Sequence, residues 1–155
     1  MTIATTADRL SAYHDHLAGA GHRPQRDADG DLVFRHDGFQ LCVSVDDEDP
    51  EYLLMFIQNF HSSGTDAMQR TACELMADLN RRYRLAKFSR RRHEVWVSVE
   101  LLLARVEDFG PALPRLAELL TGAARTFRSE LRERMREIER LDHVINTSAG
   151  VMRLH

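Results

Sequence analysis

The segment Leu32–Val45 limits what this chain can fold into more than any other stretch of it. Two runs of alternating apolar and polar residues flank Asp37-Gly38. An Asp-Gly pair between such runs marks a two-residue β-hairpin, because both turn positions must accept positive φ. The turn fixes the register: His36 opposite Phe39, Phe34 opposite Leu41, and Leu32 opposite Val43. That register gathers the apolar set on one face and leaves Val33, Arg35, Gln40, Cys42 and Ser44 on the other. The chain must therefore build an antiparallel sheet with one face turned to a core.

Before the hairpin, Leu10, Tyr13 and Leu17 recur at helical spacing and predict a helix from about Thr6 to Ala18, stopped by Gly19 to Gly21. After it, Asp46-Asp47-Glu48-Asp49-Pro50 forms a turn, and Tyr52 to Ile57 reads as a strand covered on both faces. Ser63 with Asp66 three residues on predicts a capping box that opens a helix to about Tyr83. Its apolar stripe is Met68, Ala72, Leu75, Met76, Leu79 and Tyr83. Two more strands follow, Leu85 to Phe88 and Glu94 to Glu100, joined by the basic turn Ser89–Arg92. A last helix starts near Asp108 and Pro111 and reaches about Ile145. The order α-β-β-β-α-β-β-α predicts an α+β fold, an antiparallel sheet with the helices segregated on one face. No repeat or linker divides the 155 residues, so one domain is expected. It comprises a compact body over about 6–127, a distal helix over about 128–145 as an extension, and a tail, 146–155.

Composition narrows the function. At 43% hydrophobic and 29% charged residues, the chain has the makeup of a folded soluble protein rather than a disordered one. Its 24 acids against 21 bases, net −3, argue against a nucleic-acid binder that coats phosphates. Cys42 and Cys73 lack metal-ligand spacing and are too few for a disulfide framework. The start, MTIATTADRL, has no basic segment followed by an apolar one, and no apolar run approaches the roughly 18 residues of a membrane span. The expected setting is the reduced cytoplasm, away from membranes.

Three segments together resemble the YbjN family, also described as bacterial sensory transduction regulators. They are Asp29-Gly30-Asp31-Leu32-Val33-Phe34-Arg35-His36-Asp37-Gly38, Asn80-Arg81-Arg82-Tyr83-Arg84-Leu85-Ala86-Lys87-Phe88 and Val95-Trp96-Val97-Ser98-Val99-Glu100-Leu101-Leu102. The resemblance covers about Leu10 to Phe127. It implies a fold similar to type III secretion chaperones and a small, dimeric, non-enzymatic protein. It transfers no catalytic or ligand residue.

The residues themselves carry little catalytic chemistry. The eight histidines are scattered, and His14 and His16, two apart on a helix, point in different directions. Asp27-x-Asp29-Gly30-Asp31 superficially resembles a calcium loop, but Leu32 and Gly38 stand where that loop needs its glycine and glutamate. Ser62-Ser63 is explained by helix capping, and no nucleophile elbow or phosphate loop is present. No enzyme activity, metal or cofactor is expected.

Two features point to partners. The cluster Arg81-Arg82-Arg84-Lys87 with Arg90-Arg91-Arg92 fits a solvated helix end and edge turn, or a surface for nucleic acid or an acidic peptide. Trp96 falls opposite Val95, Val97 and Val99, so it lies either on the open face of the sheet or under the long last helix. The expected function is a protein-interaction module, a chaperone-like or regulatory adaptor that binds an extended segment of a partner protein as a homodimer. The contact residues expected are Trp96, Val33 and Arg35, with Phe127, Leu131, Met135 and Ile138 for self-association. The alternative is a nucleic-acid-associated regulator using the Arg81–Arg92 cluster.

Overall fold

The computed structural model describes residues 5–152. The chain runs α1 (Thr6–Gly19), β1 (Gln25–Arg26), β2 (Leu32–His36), β3 (Phe39–Val45), β4 (Tyr52–Ser62), α2 (Asp66–Arg82), β5 (Lys87–Arg91), β6 (Glu94–Leu102), a 3₁₀ turn (Val106–Asp108) and α3 (Phe109–Met152). The strands form one six-stranded antiparallel sheet in the order β1-β2-β3-β4-β6-β5. The expected order is present with one addition, the two-residue β1, which is too short to carry a periodicity.

The hairpin has the expected register from His36–Phe39 to Leu32–Val43. Its turn has φ of 50° at Asp37 and 83° at Gly38, as a primed two-residue turn requires. Other boundaries differ for local reasons. β4 continues past Ile57 to Ser62 because its pairing with β6 shifts register between Ile57 and His61. Asn59 takes a φ of 45° there, a conformation asparagine tolerates better than most residues. Thr65 rather than Ser63 caps α2, its hydroxyl accepting from the Met68 N–H at 3.2 Å. Ser63 is buried, and its N–H donates to the His93 carbonyl. The expected turn Ser89–Arg92 shortens to Arg92-His93, with Ser89–Arg91 inside β5.

The helices pack on a single face of the sheet. Tyr13 and Leu17 of α1, Leu75 and Leu79 of α2, and Leu113, Leu120 and Phe127 of α3 are at most 1% exposed. They meet Leu32, Leu41, Met55, Ile57, Val97 and Val99 of the strands in one cluster. Each such side chain contributes roughly 1.5–3 kcal/mol by leaving water. α1 and α3 approach at Gly110, where a methyl group would lie 2.7 Å from His16 Nδ1. Ion pairs tie α2 to α3: Arg82 with Glu130 at 2.7 Å, and Arg134 with Asp78 at 2.6 Å. The Arg134 hydrogen bond holds the Asp78 carboxyl below the usual carboxylate range.

α3 is one helix of 44 residues, about 66 Å at 1.5 Å per residue. Packing against the body continues through Leu131 and Met135. Residues 137–148 are exposed all round. The expected tail at 146–155 starts inside this helix, since nothing after Ile145 breaks it before Met152; residues 1–4 and 153–155 lie outside the described residues.

Candidate functional site

The face of the sheet turned away from the helices carries a continuous row of side chains. Val33 pairs with Cys42, and Cys42 pairs with Phe56, so the three lie side by side across β2, β3 and β4. Cys42 and Phe56 are buried yet stand apart from the main core. Trp96 of β6 stacks on Phe56 with centroids 5.5 Å apart and planes at 9°. The Arg91 guanidinium of β5 lies 4.3 Å from the centre of the Trp96 ring. Of the two places open to Trp96, the structure selects the sheet face, because the valines of β6 occupy the side that the helices cover. Val33 and Trp96 thus end one row, and Arg35 stands beside Gln40 in the next. Arg35 also borders a cavity of about 430 Å³ with Gly21, His22 and Gln25. Burial, with Asp27 and Asp31 nearby, pushes the Cys42 thiol up to about 12.

The sheet's edges are treated unequally. On β5, the Asn80 side chain accepts from the Phe88 N–H at 2.7 Å and donates to the Phe88 carbonyl at 3.0 Å. One carboxamide thus satisfies both outward backbone groups of Phe88, at the middle of the edge that a further strand would use. β5 pairs with β6 only from Arg91–Glu94 to Lys87–Ser98, so Val99–Leu102 has a strand on one side alone. The Leu103 N–H bonds the Glu51 carbonyl across β4. By the alternation of an antiparallel ladder, the backbone groups of Glu100 and Leu102 point the other way, toward the open side.

Beside this open edge is a groove of about 1090 Å³ lined by Leu85, Leu101, Leu103, Ala112, Leu116 and Leu119, with Arg84, Asp108, Arg115 and Glu118 around it. An unpaired strand flanked by an apolar trough can accept an added strand and seat its alternate side chains. Sequence reasoning missed this groove. Its signal was the run Leu101-Leu102-Leu103, which continues past the point where β5 turns away.

The remaining candidate residues divide. Phe127 is fully buried, its ring 5.7 Å from Phe88 and 5.4 Å from Phe60. Leu131 is buried as well, and Met135 packs against the core. Phe127 and Leu131 therefore pack into the chain's own interior, Met135 is half-buried at its margin, and Ile138 of the expected seam is exposed, followed by Leu141, Val144 and Ile145. In the basic cluster, Arg81 pairs with Asp78, Arg82 with Glu130, and Arg91 with Trp96. Lys87 donates to the Asn80 and Tyr83 carbonyls, and Arg90 to the Cys73 sulfur. Among the described residues, no three His, Cys, Asp or Glu side chains converge as metal ligands, and no helix is long and apolar enough to cross a membrane.

The fold has solved counterparts. YbjN from E. coli matches at a TM-score of 0.61 and 14% identity, covering 78% of this chain and 92% of that one. The type III secretion chaperone SycH of Yersinia pestis, in complex with a stable fragment of YscM2, matches at 0.52 and 12%, over 77% and 98%. The ExsC–ExsE complex matches at 0.57 and 18%, over 79% and 96%. At these identities the likeness establishes the fold. Among curated proteins, none matches. A family model described as TY-Chap1, T3SS (YopN, CesT) and YbjN peptide-binding chaperone 1, matches residues 11–137. Those residues take in the sheet, both of its faces and α3 through Glu137. The chain belongs to this family of peptide-binding, chaperone-like interaction modules.

Proposed function

We propose that the protein captures an extended segment of a partner protein at the open edge of β6, without enzymatic chemistry. The observation that carries this reading is the juxtaposition of Val99–Leu102, paired on one side only, with the apolar groove under Leu85 and Leu119. A segment added there would bond the Glu100 and Leu102 backbone and place every second side chain against Leu101, Leu103 and Leu116. The solved SycH and ExsC structures each hold a protein partner, which supports a protein ligand for this fold. The row from Val33 to Trp96, with Arg35 beside it, offers a second contact surface on the opposite face.

The test uses peptides selected from a random library on the wild-type chain. Capture at β6 predicts that N-methylation of alternate peptide amides abolishes binding. It also predicts that Leu85→Asp, at a half-exposed position, weakens binding by about tenfold or more. Unchanged affinity after both changes would overturn the reading.

The homodimer belongs to the same proposal. Ile138, Leu141, Val144 and Ile145 are 36–63% exposed and follow one another at steps of three, three and one, which lays an apolar stripe along an unpaired helix. A second copy of the helix would cover it. Light scattering should give a dimer mass for the wild type and a monomer mass for Leu141→Glu with Ile145→Glu. The cytoplasm is the proposed compartment, where the two free thiols, Cys42 and Cys73, would stay reduced.

A further inference from the structure

α3 presents a second surface on the helix side of the body, further along the helix than Ala112–Leu119, which line the β6 groove. Arg128, Arg132 and Arg136 stand at four-residue intervals and so form a single row along the helix, spaced about 6 Å apart. Among the described residues, none of the three has a carboxylate within ion-pair distance, whereas Arg82, Arg125, Arg134 and Arg140 all do. Arg128 is held in place by other means. Its Nε donates to the Phe60 carbonyl at 3.0 Å, and its guanidinium lies 4.9 Å from the centre of the Phe39 ring. Such contacts fix the position of the charge without neutralising it.

The row borders a groove of about 500 Å³ whose floor is apolar: Met68 from α2, and Leu131 and Met135 from α3. His61 at the end of β4 closes one side, its Nε2 3.2 Å from the Ser63 hydroxyl. Glu139 is the single acid on the rim, one turn beyond Arg136. Three uncompensated guanidiniums over an apolar floor suit a ligand with carboxylates on one edge and aliphatic side chains on the adjoining one. A nucleic-acid backbone would supply the anions but nothing for Met68, Leu131 and Met135 to cover.

We infer that the groove between α2 and α3 is a docking site for an acidic amphipathic segment of a partner protein, its carboxylates on Arg128, Arg132 and Arg136 and its aliphatic side chains on Met68 and Met135. The segment's acidic stretch ends short of Glu139, which repels it and so sets its direction along α3. This site does not rest on strand capture at β6, and the two can fail separately.

The probe is a fluorescein-labelled peptide of about 15 residues with Glu at every fourth position and Leu one place before each, read by polarisation on the full chain. Binding should weaken by about tenfold or more in Arg132→Glu with Arg136→Glu, both exposed positions whose reversal leaves the circular dichroism unchanged. It should also weaken between about 50 mM and about 300 mM salt. Leu85→Asp in the β6 groove should leave it intact. Equal binding by the double-reversal variant overturns the proposal. So does equal binding of a leucine-free glutamate peptide, which would make the row a bare anion patch. Displacement of the peptide by a stoichiometric DNA duplex of about 20 base pairs would assign the row to nucleic acid and equally overturn it.

Discussion

Trp96 lies flat against Phe56, 5.5 Å between ring centres, on the side of the sheet that no helix reaches. Phe56 is 7% exposed with the indole stacked on it, so removing the indole returns apolar area to water. Trp96→Ala is expected to lower stability to urea by about 1–3 kcal/mol, with Phe56→Ala no less costly. A loss under about 0.5 kcal/mol would show that the stack is an arrangement without energetic consequence. As the one tryptophan in the chain, Trp96 also reports ligand arrival on this face by its emission.

The two thiols should react in sequence rather than together. Cys42 is fully buried and its pKa is raised to about 12, while Cys73 is half-buried beside Arg90. At a pH near 8 only about one in ten thousand Cys42 side chains would be thiolate. Ellman's reagent should therefore find one reactive thiol in the native chain and a second after denaturation. Rapid release of both from the folded state would contradict the burial of Cys42.

Arg9 and Tyr13 of α1 give predictions of opposite outcome. Arg9 is 6% exposed and reaches the Leu103 carbonyl at 2.8 Å and the Ala104 carbonyl at 3.4 Å, fastening α1 to the segment that follows β6. Arg9→Ala leaves those carbonyls without a donor and should cost about 1–3 kcal/mol. The Tyr13 hydroxyl is buried with no partner at all. Tyr13→Phe removes an unsatisfied polar group and should be neutral or stabilising. Chemical denaturation of both variants decides, and a destabilised Tyr13→Phe would reveal a partner for the hydroxyl.

His61 makes stability depend on pH in a fixed direction. Burial, and then the Arg128 charge, lower its pKa from the ordinary 6.5. The unfolded chain therefore takes up the proton first as pH falls, and the folded state loses ground. The contribution is whole above about pH 6.5 and is lost as pH drops through the lowered folded value. Melting curves between pH 7.5 and about pH 5 should show a decline that His61→Gln reduces. An identical decline in the variant would place the effect elsewhere.

Sequence reading succeeded where local chemistry leaves one answer. Asp37-Gly38 admits a single register, and parity then puts Val33 and Trp96 on the face away from the apolar set. It fell short where the answer depends on a distant neighbour. Ser63 and Thr65 are both good capping residues, and only the pairing of Ser63 with His93 frees Thr65 to cap α2. Phe127, Leu131 and Met135 step at helical spacing whether they face a partner or the chain's own sheet, so periodicity alone could not assign them inward. The β6 groove arises because β5 stops at Lys87 while β6 runs on to Leu102, a mismatch of lengths that no single segment records.

Asn80 has a consequence for how copies of this chain behave when crowded. A strand added to a sheet exposes a new edge for the next strand, so growth by pairing has no natural end. A side-chain amide that fills the same bonds exposes none, and the addition stops after one residue. With Phe88 occupied in this way, the stretches left bare include Ser89–Arg91 on the outer side of β5, Phe34–His36 past the end of β1, and Val99–Leu102. Each is shorter than the roughly six residues that seed stacked fibrils. Bare edges this short limit strand-by-strand growth of one copy onto the next.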